Sequence, residues 1–129
     1  MIHFGIISPP VPGHIHPFSA LGRELQSRGH RVTYFQMQDL EAKIRSEGID
    51  FWPIGQDDFP PGSLSRWLGQ LGRLKGLPAL RFTIGAVERT SVMVCRDAPR
   101  AICEAGVDAL LVDQMEPAGA AVAGDLGLP

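Results

Sequence analysis

The apolar positions of this chain change their period several times, and each change marks an element. Phe4, Ile6 and Ile7 form a short apolar run. It suits a central parallel strand buried on both faces and is far too short for a membrane span. This predicts a first strand over 2–8. From Pro17 to Arg28 the pattern becomes helical, with Phe18, Leu21 and Leu25 on one side and Arg23, Glu24, Gln26 and Arg28 on the other. Pro17 suits a first helical position, where its missing N–H costs nothing, and Gly29 suits the stop. RVTYFQM over 31–37 is β-branched and aromatic and predicts the second strand. Asp39 is read as the cap of a short helix over 40–46 that ends before Gly48. Residues 49–54 predict a third strand, with Pro53 at its end or on a sheet edge.

The middle of the chain reads differently. GQDDFPPG over 55–62 is rich in turn formers. Ser63 is read as the cap of a helix over 64–74, whose apolar stripe is Leu64, Trp67, Leu68 and Leu71. A second helical stretch is expected over 79–96. Asp97 and Pro99 suggest a break and a fresh helix start that continues to Glu104 and stops at Gly106. ALLVD over 109–113 predicts the fourth strand, and 117–126 an Ala/Gly-rich helix. The sequence closes on Gly127-Leu128-Pro129, where a further strand is expected. Strands alternating with helices over short connections predict an α/β fold, a Rossmann-like doubly wound parallel sheet.

Composition narrows the function classes. A length of 129 residues allows one domain, and 44% apolar with 20% charged residues is ordinary for a globular protein. The formal charge of −2 gives no basic footprint for nucleic acid. Cys95 and Cys103 are read as reduced core thiols of a cytoplasmic protein, with no disulfide framework or metal site. The start carries no positively charged leader, and no stretch approaches a transmembrane length.

The candidate chemistry lies just after the first strand. SPPVPG over 8–13 is expected to be irregular, because its three prolines fix φ and remove donors. His14 and His16 then sit on a loop beyond the carboxyl end of that strand, where open α/β sheets bind ligands. The usual strand order sets the first and fourth strands side by side. That brings His14 and Asp113 to one rim, although they are far apart in the chain. A carboxylate there can accept one imidazole N–H, set the tautomer and stabilise the imidazolium, which makes a general base. Gln114 and Glu116 read as solvated, with a contact to a ligand as the lesser reading for both. Asp57 and Asp58 read as turn residues, since adjacent side chains point apart. His3 and His30 are assigned nothing. Neither GxGxxG nor a Walker pattern is present in the loop.

GHIHP over 13–17, the following Leu21 and Leu25, RGHRVT over 28–33 and DALLVD over 108–113 together carry a resemblance. The chain resembles the N-terminal half of GT-B fold UDP-glycosyltransferases, most of all the bacterial zeaxanthin and macrolide types. The match is specific over 2–35 and 108–123 and weak over 55–100. The resemblance implies an acceptor-binding domain over 1–129, with the C-terminal nucleotide-sugar domain absent and the sheet incomplete. It implies an inverting transfer of a sugar from a UDP-sugar to a hydroxyl of a hydrophobic small molecule, a carotenoid among them. His14 is then the base and Asp113 its partner. Gly13, His16, Phe59, Trp67, Phe82, Met93 and Gln114 are acceptor-side candidates, although the family often has asparagine in place of His16. No metal or other cofactor is implied, since the donor is a substrate held by the second domain. The chain alone is expected to be inactive, and the open edge of its fourth strand to pair with a second copy. Two other classes are compatible with parts of this pattern. A non-catalytic module that binds a small ligand on a degenerate transferase fold shares every motif. An α/β signalling domain is disfavoured, because the loop after the first strand has no acidic pair or phosphate cradle.

Overall fold

The computed structural model describes all residues, Met1–Pro129. Four strands form a parallel sheet in the order β3-β2-β1-β4, with β1 at His3–Ile7, β2 at Arg31–Gln36, β3 at Asp50–Pro53 and β4 at Ala109–Val112. The helices are α1 (Pro12–Ser27), α2 (Glu41–Ser46), α3 (Ser63–Arg73), α4 (Gly76–Ala105) and α5 (Pro117–Leu126). A single 3₁₀ turn over Gln38–Leu40 precedes α2.

Side chains alternate across the pleat, so neighbouring residues of one strand feed opposite cores. Ile6 packs with Val32, Tyr34, Ile15 and Ile44 in the layer under α1 and α2. Its neighbour Ile7 packs with Phe35, Met93, Ile102 and Val122 in the layer under α4 and α5. The sheet is therefore covered on both faces, the doubly wound arrangement that the sequence predicts. β3 lies at one edge, as Pro53 requires. Close packing is strictest where α5 crosses β4: a Cβ on Gly119 would come within 2.3 Å of a Val112 methyl.

The elements differ from expectation in several places. α1 begins at Pro12, five residues before Pro17. Pro12 takes the first-turn position where a missing N–H is harmless. Pro17 lies inside the helix and leaves only the carbonyl of exposed Gly13 without its helical donor. His14 and His16 are consequently on the first turns of a helix and not on a loop. Asp39 does not cap α2; its carboxylate accepts the backbone N–H groups of Gly62 and Leu64 and so starts α3 from outside. Ser63 is no cap either, because its hydroxyl donates to the Pro60 carbonyl.

α4 runs unbroken through Asp97 and Pro99 for 30 residues. Ala98, Ala101 and Ile102 are buried against the sheet, and that packing outweighs the one hydrogen bond that Pro99 removes. The same helix turns Cys95 and Cys103 outward, so both thiols are free and exposed instead of lying in the core. At the far edge, Gly127 adopts φ 65° and turns the chain back onto β4. The outward N–H of Leu110 donates to the Pro129 carbonyl at 2.9 Å, while Leu126 and Leu128 pack on the core. The edge expected to be open is thus occupied at Leu110 by the chain's own last residues.

Candidate active site

β1 and β4 end side by side, with Ile7 opposite Val112. The N–H of Asp113 donates to the Ile7 carbonyl, which pins the residue after β4 to the last residue of β1. The chain leaves β1 through Ser8–Val11 and enters α1 above the same point. His14 N–H and Ile15 N–H both donate to the Val11 carbonyl, fixing the first turn. Strand order and one helical turn therefore bring two residues 99 positions apart into contact. His14 Nδ1 lies 2.7 Å from Asp113 Oδ2.

Every polar atom of that pair has a defined role. Asp113 Oδ1 accepts the Met115 N–H at 2.8 Å, which holds the carboxylate in a tight turn closed by Glu116 N–H on the Asp113 carbonyl. Oδ2 is left for the imidazole. An ionised carboxylate only accepts, so Nδ1 carries a proton, and in the neutral ring Nε2 is the atom with the lone pair. The Asp113 side chain is 9% exposed and that of His14 33% exposed. The carboxylate is nearly buried while the imidazole remains reachable.

The loop under His14 is held from below by a buried polar group. Gln36, at the end of β2, donates to the Ser8 carbonyl and accepts the Met37 N–H, each at 2.7 Å. Tyr34 and Ser8 share a hydroxyl–hydroxyl contact in the same layer. Burial pushes the Tyr34 phenol well above its ordinary pKa, so this tyrosine is a neutral strut.

Beside His14 opens a cavity of about 600 Å³. Pro9, Pro10 and Val11 form one wall, and α3 and the first half of α4 form the others. No residue of α3 is fully buried. Its apolar stripe, Leu64, Trp67 and Leu71, lines the cavity rather than a core. Trp67 stacks on Phe82 with centroids 6.4 Å apart, and its Nε1 is a buried donor without an acceptor. Arg89 lies over the ring of Phe59, 5.6 Å from its centroid, on the same lining.

Of the acceptor-side candidates, Phe59 and Trp67 line the cavity and Phe82 backs Trp67 from behind. Met93 does not line it: the side chain is fully buried in the core against Gly55 and the residues under α4. Gly13, His16 and Gln114 are exposed and lie outside the lining. For His16 the cause is the early start of α1, which turns positions 14 and 16 to different sides of the helix. Glu116 was expected in solvent, yet is 1% exposed. It accepts the hydroxyls of Ser91 and Thr90 and reaches the cavity lining. The sequence signal was available: a carboxylate directly before a helix-opening proline, with two hydroxyl residues adjacent on one helix. Only the tertiary placement joins them.

A parallel sheet in the order β3-β2-β1-β4, with helices on both faces, matches the fold of the N-terminal half of GT-B glycosyltransferases. The chain belongs to the family of the glycosyltransferase family 28 N-terminal domain, whose model matches residues 12–112. It is 45% identical over 129 residues to a zeaxanthin glucosyltransferase from Pantoea ananas, covering all of this chain and 30% of that protein. A calicheamicin glycosyltransferase structure matches over the whole chain with TM-score 0.73 at 22% identity, again over 31% of its own length. A spinosyn rhamnosyltransferase complexed with thymidine diphosphate matches with TM-score 0.71 at 25% identity, covering all of this chain and 33% of that one. The chain thus spans about 30% of the length of the curated relatives it matches.

Proposed function

We propose that residues 1–129 are the acceptor-binding domain of an inverting glycosyltransferase that moves a sugar from a UDP-sugar to a hydroxyl of a hydrophobic small molecule, with a carotenoid alcohol as the leading acceptor. The nucleotide sugar is held mainly by a second domain, and no metal or cofactor takes part. The observation that carries the reading is the 2.7 Å bond from His14 Nδ1 to buried Asp113 at the mouth of an apolar cavity.

The chemistry follows from the tautomer. Nε2 of His14 takes the proton of the acceptor hydroxyl as that oxygen attacks the anomeric carbon of the donor. The bond from that carbon to the diphosphate oxygen breaks, and UDP leaves with the electron pair. Attack from the face opposite the leaving group inverts the configuration. Asp113 stays ionised and stabilises the imidazolium. Phe59, Leu64 and Trp67 offer the acceptor an apolar wall. Similarity to a zeaxanthin glucosyltransferase supports an extended apolar alcohol as acceptor. Exposed free thiols at Cys95 and Cys103 fit a reducing cytoplasm.

The test is substitution in the full-length protein with UDP-glucose and zeaxanthin. His14→Ala is expected to cut turnover about 10²–10⁴-fold, the range for losing a general base. Asp113→Asn should fall in the same range, because an amide no longer fixes the Nδ1–H tautomer. Both variants should retain the native circular dichroism spectrum. Unchanged turnover in His14→Ala would move the base elsewhere.

A further inference from the structure

The link from β1 to α1 sets where His14 stands, and it is poor in bonds of its own. In Ser8-Pro9-Pro10-Val11-Pro12 the prolines have no N–H to donate. The Val11 carbonyl receives the first turn of α1. Apart from that, residues 8–11 bond to the rest of the chain only through Ser8. Both of those contacts come from β2. The Gln36 amide donates to the Ser8 carbonyl at 2.7 Å, and the Tyr34 hydroxyl meets the Ser8 hydroxyl. Of the two, the Gln36 bond is the one that holds the main chain.

Gln36 is 0% exposed, and both ends of its amide are in use. Oε1 accepts the Met37 N–H at 2.7 Å while Nε2 donates to Ser8. One orientation of the amide serves both partners, because Ser8 offers a carbonyl and Met37 an N–H. A carboxylate would lack the donor, and an aliphatic side chain would lack both. The two ends lead to two parts of the site. Met37 lines the cavity. Ser8 leads through two prolines to Val11, whose carbonyl takes the N–H groups of His14 and Ile15. Ile15, 1% exposed, holds the axis of α1 on its core layer. The turn that presents His14 is then set by the link before it.

We infer that Gln36 is a positioning residue for sugar transfer. One buried amide fixes the loop that carries the base to the cavity wall at Met37, and so sets His14 against the hydroxyl of a bound acceptor. Gln36 touches no substrate and acts only through His14, so the inference rests on the reading of His14 as the base. The leverage is large, since a misplacement of about 1 Å at a reacting group can cost about 10²-fold in rate.

Steady-state kinetics of the full-length protein with UDP-glucose and zeaxanthin test it. Gln36→Met has similar length and neither donor nor acceptor at its end. It is expected to lower kcat about 10–10²-fold and to leave KM for both substrates as in the parent. Gln36→Glu keeps an acceptor for Met37 but, ionised, offers Ser8 no donor, and should lose kcat to the same degree. Gln26→Met removes a comparable amide bond, to the Gly48 carbonyl at the far end of α1, and should keep full kcat. The decisive comparison is made in a His14→Ala background, where Gln36→Met should cost nothing further, because its effect passes through the base. The same loss in both backgrounds overturns the proposal and leaves Gln36 to the fold alone. So does an unchanged kcat in both Gln36 variants, or failure of both to fold by circular dichroism. Full turnover in His14→Ala is a different failure: it refutes the base itself, and the role of Gln36 with it.

Discussion

At the scale of single residues, the pair His14 and Asp113 was legible and its neighbour Glu116 was not. The pair follows from sequence because strand ends in a parallel sheet gather on one rim, whatever the length of chain between them. Glu116 hides because its partners come from another element: Ser91 and Thr90 sit on α4, which no local pattern ties to the turn after β4. A buried carboxylate that accepts two hydroxyls holds α4 against the turn carrying Asp113. Glu116→Ala leaves the Ser91 hydroxyl without its acceptor, while Thr90 keeps the Val87 carbonyl, and is expected to destabilise by about 1–3 kcal/mol. Glu116→Gln keeps an acceptor oxygen and should lose about half of that or less. Urea denaturation of the two variants checks this, and equal loss in both would mean that the charge, rather than the hydroxyl bonds, sets the cost.

At the scale of elements, the strands and α5 were legible because each carries its own signal: β-branched runs for the strands, an opening proline and closing glycine for α5. The misreadings cluster at prolines. Pro17 and Pro99 read in the sequence as helix starts, and both lie inside helices. In each case burial of the far side of the helix decides, through Ile15, Ser19 and Gly22 in α1 and Ala98, Ala101 and Ile102 in α4. This has a sharp test at Pro99. If a fresh helix began there, proline would be well placed and alanine no better. In a continuous helix, Pro99→Ala restores an interior hydrogen bond and is expected to stabilise by about 1–3 kcal/mol, read as a higher denaturation midpoint.

The same part of α4 holds the turn after β3 through charge. Asp97 accepts the Gly55 N–H at 3.0 Å, where Gly55 has φ 72° and lies tight against Met93. The Arg96 guanidinium beside it holds the Asp97 carboxyl below its ordinary value, with the Gly55 bond adding to the effect. A depressed folded value means that the unfolded chain takes up the proton first. The stabilising contribution is therefore complete above the ordinary aspartate range and is lost as pH falls through the lowered value. Asp97→Asn should lower stability most above the aspartate range and least at the acid end, so that the acid limb of the stability–pH curve flattens. Thermal melts across pH measure this, and an unaltered acid limb would remove Asp97 from the account.

At the scale of the whole molecule, the two layers are closed and the cavity is what remains open. The layer under α1 and α2 is filled by Ile15, Tyr34 and Ile44, and the layer under α4 and α5 by Phe35, Met93 and Ile102. α3 adds nothing to either core as a fully buried residue and instead lends its apolar stripe to the cavity. That stretch, 55–100, is where the sequence resemblance is weakest, as expected of a segment fitted to its own ligand and not to the common sheet. An apolar cavity with one reachable base suits an acceptor far better than a nucleoside diphosphate. Transfer also needs the donor held against the acceptor, and most of the rate advantage of holding both disappears when only one is bound. Residues 1–129 expressed alone are therefore expected to show no glycosyl transfer and no calorimetric binding of UDP-glucose at micromolar concentrations, whereas the full-length protein binds it. Micromolar binding by the 129-residue chain would put the donor site within these residues, beside His14, and would overturn the division of labour proposed above.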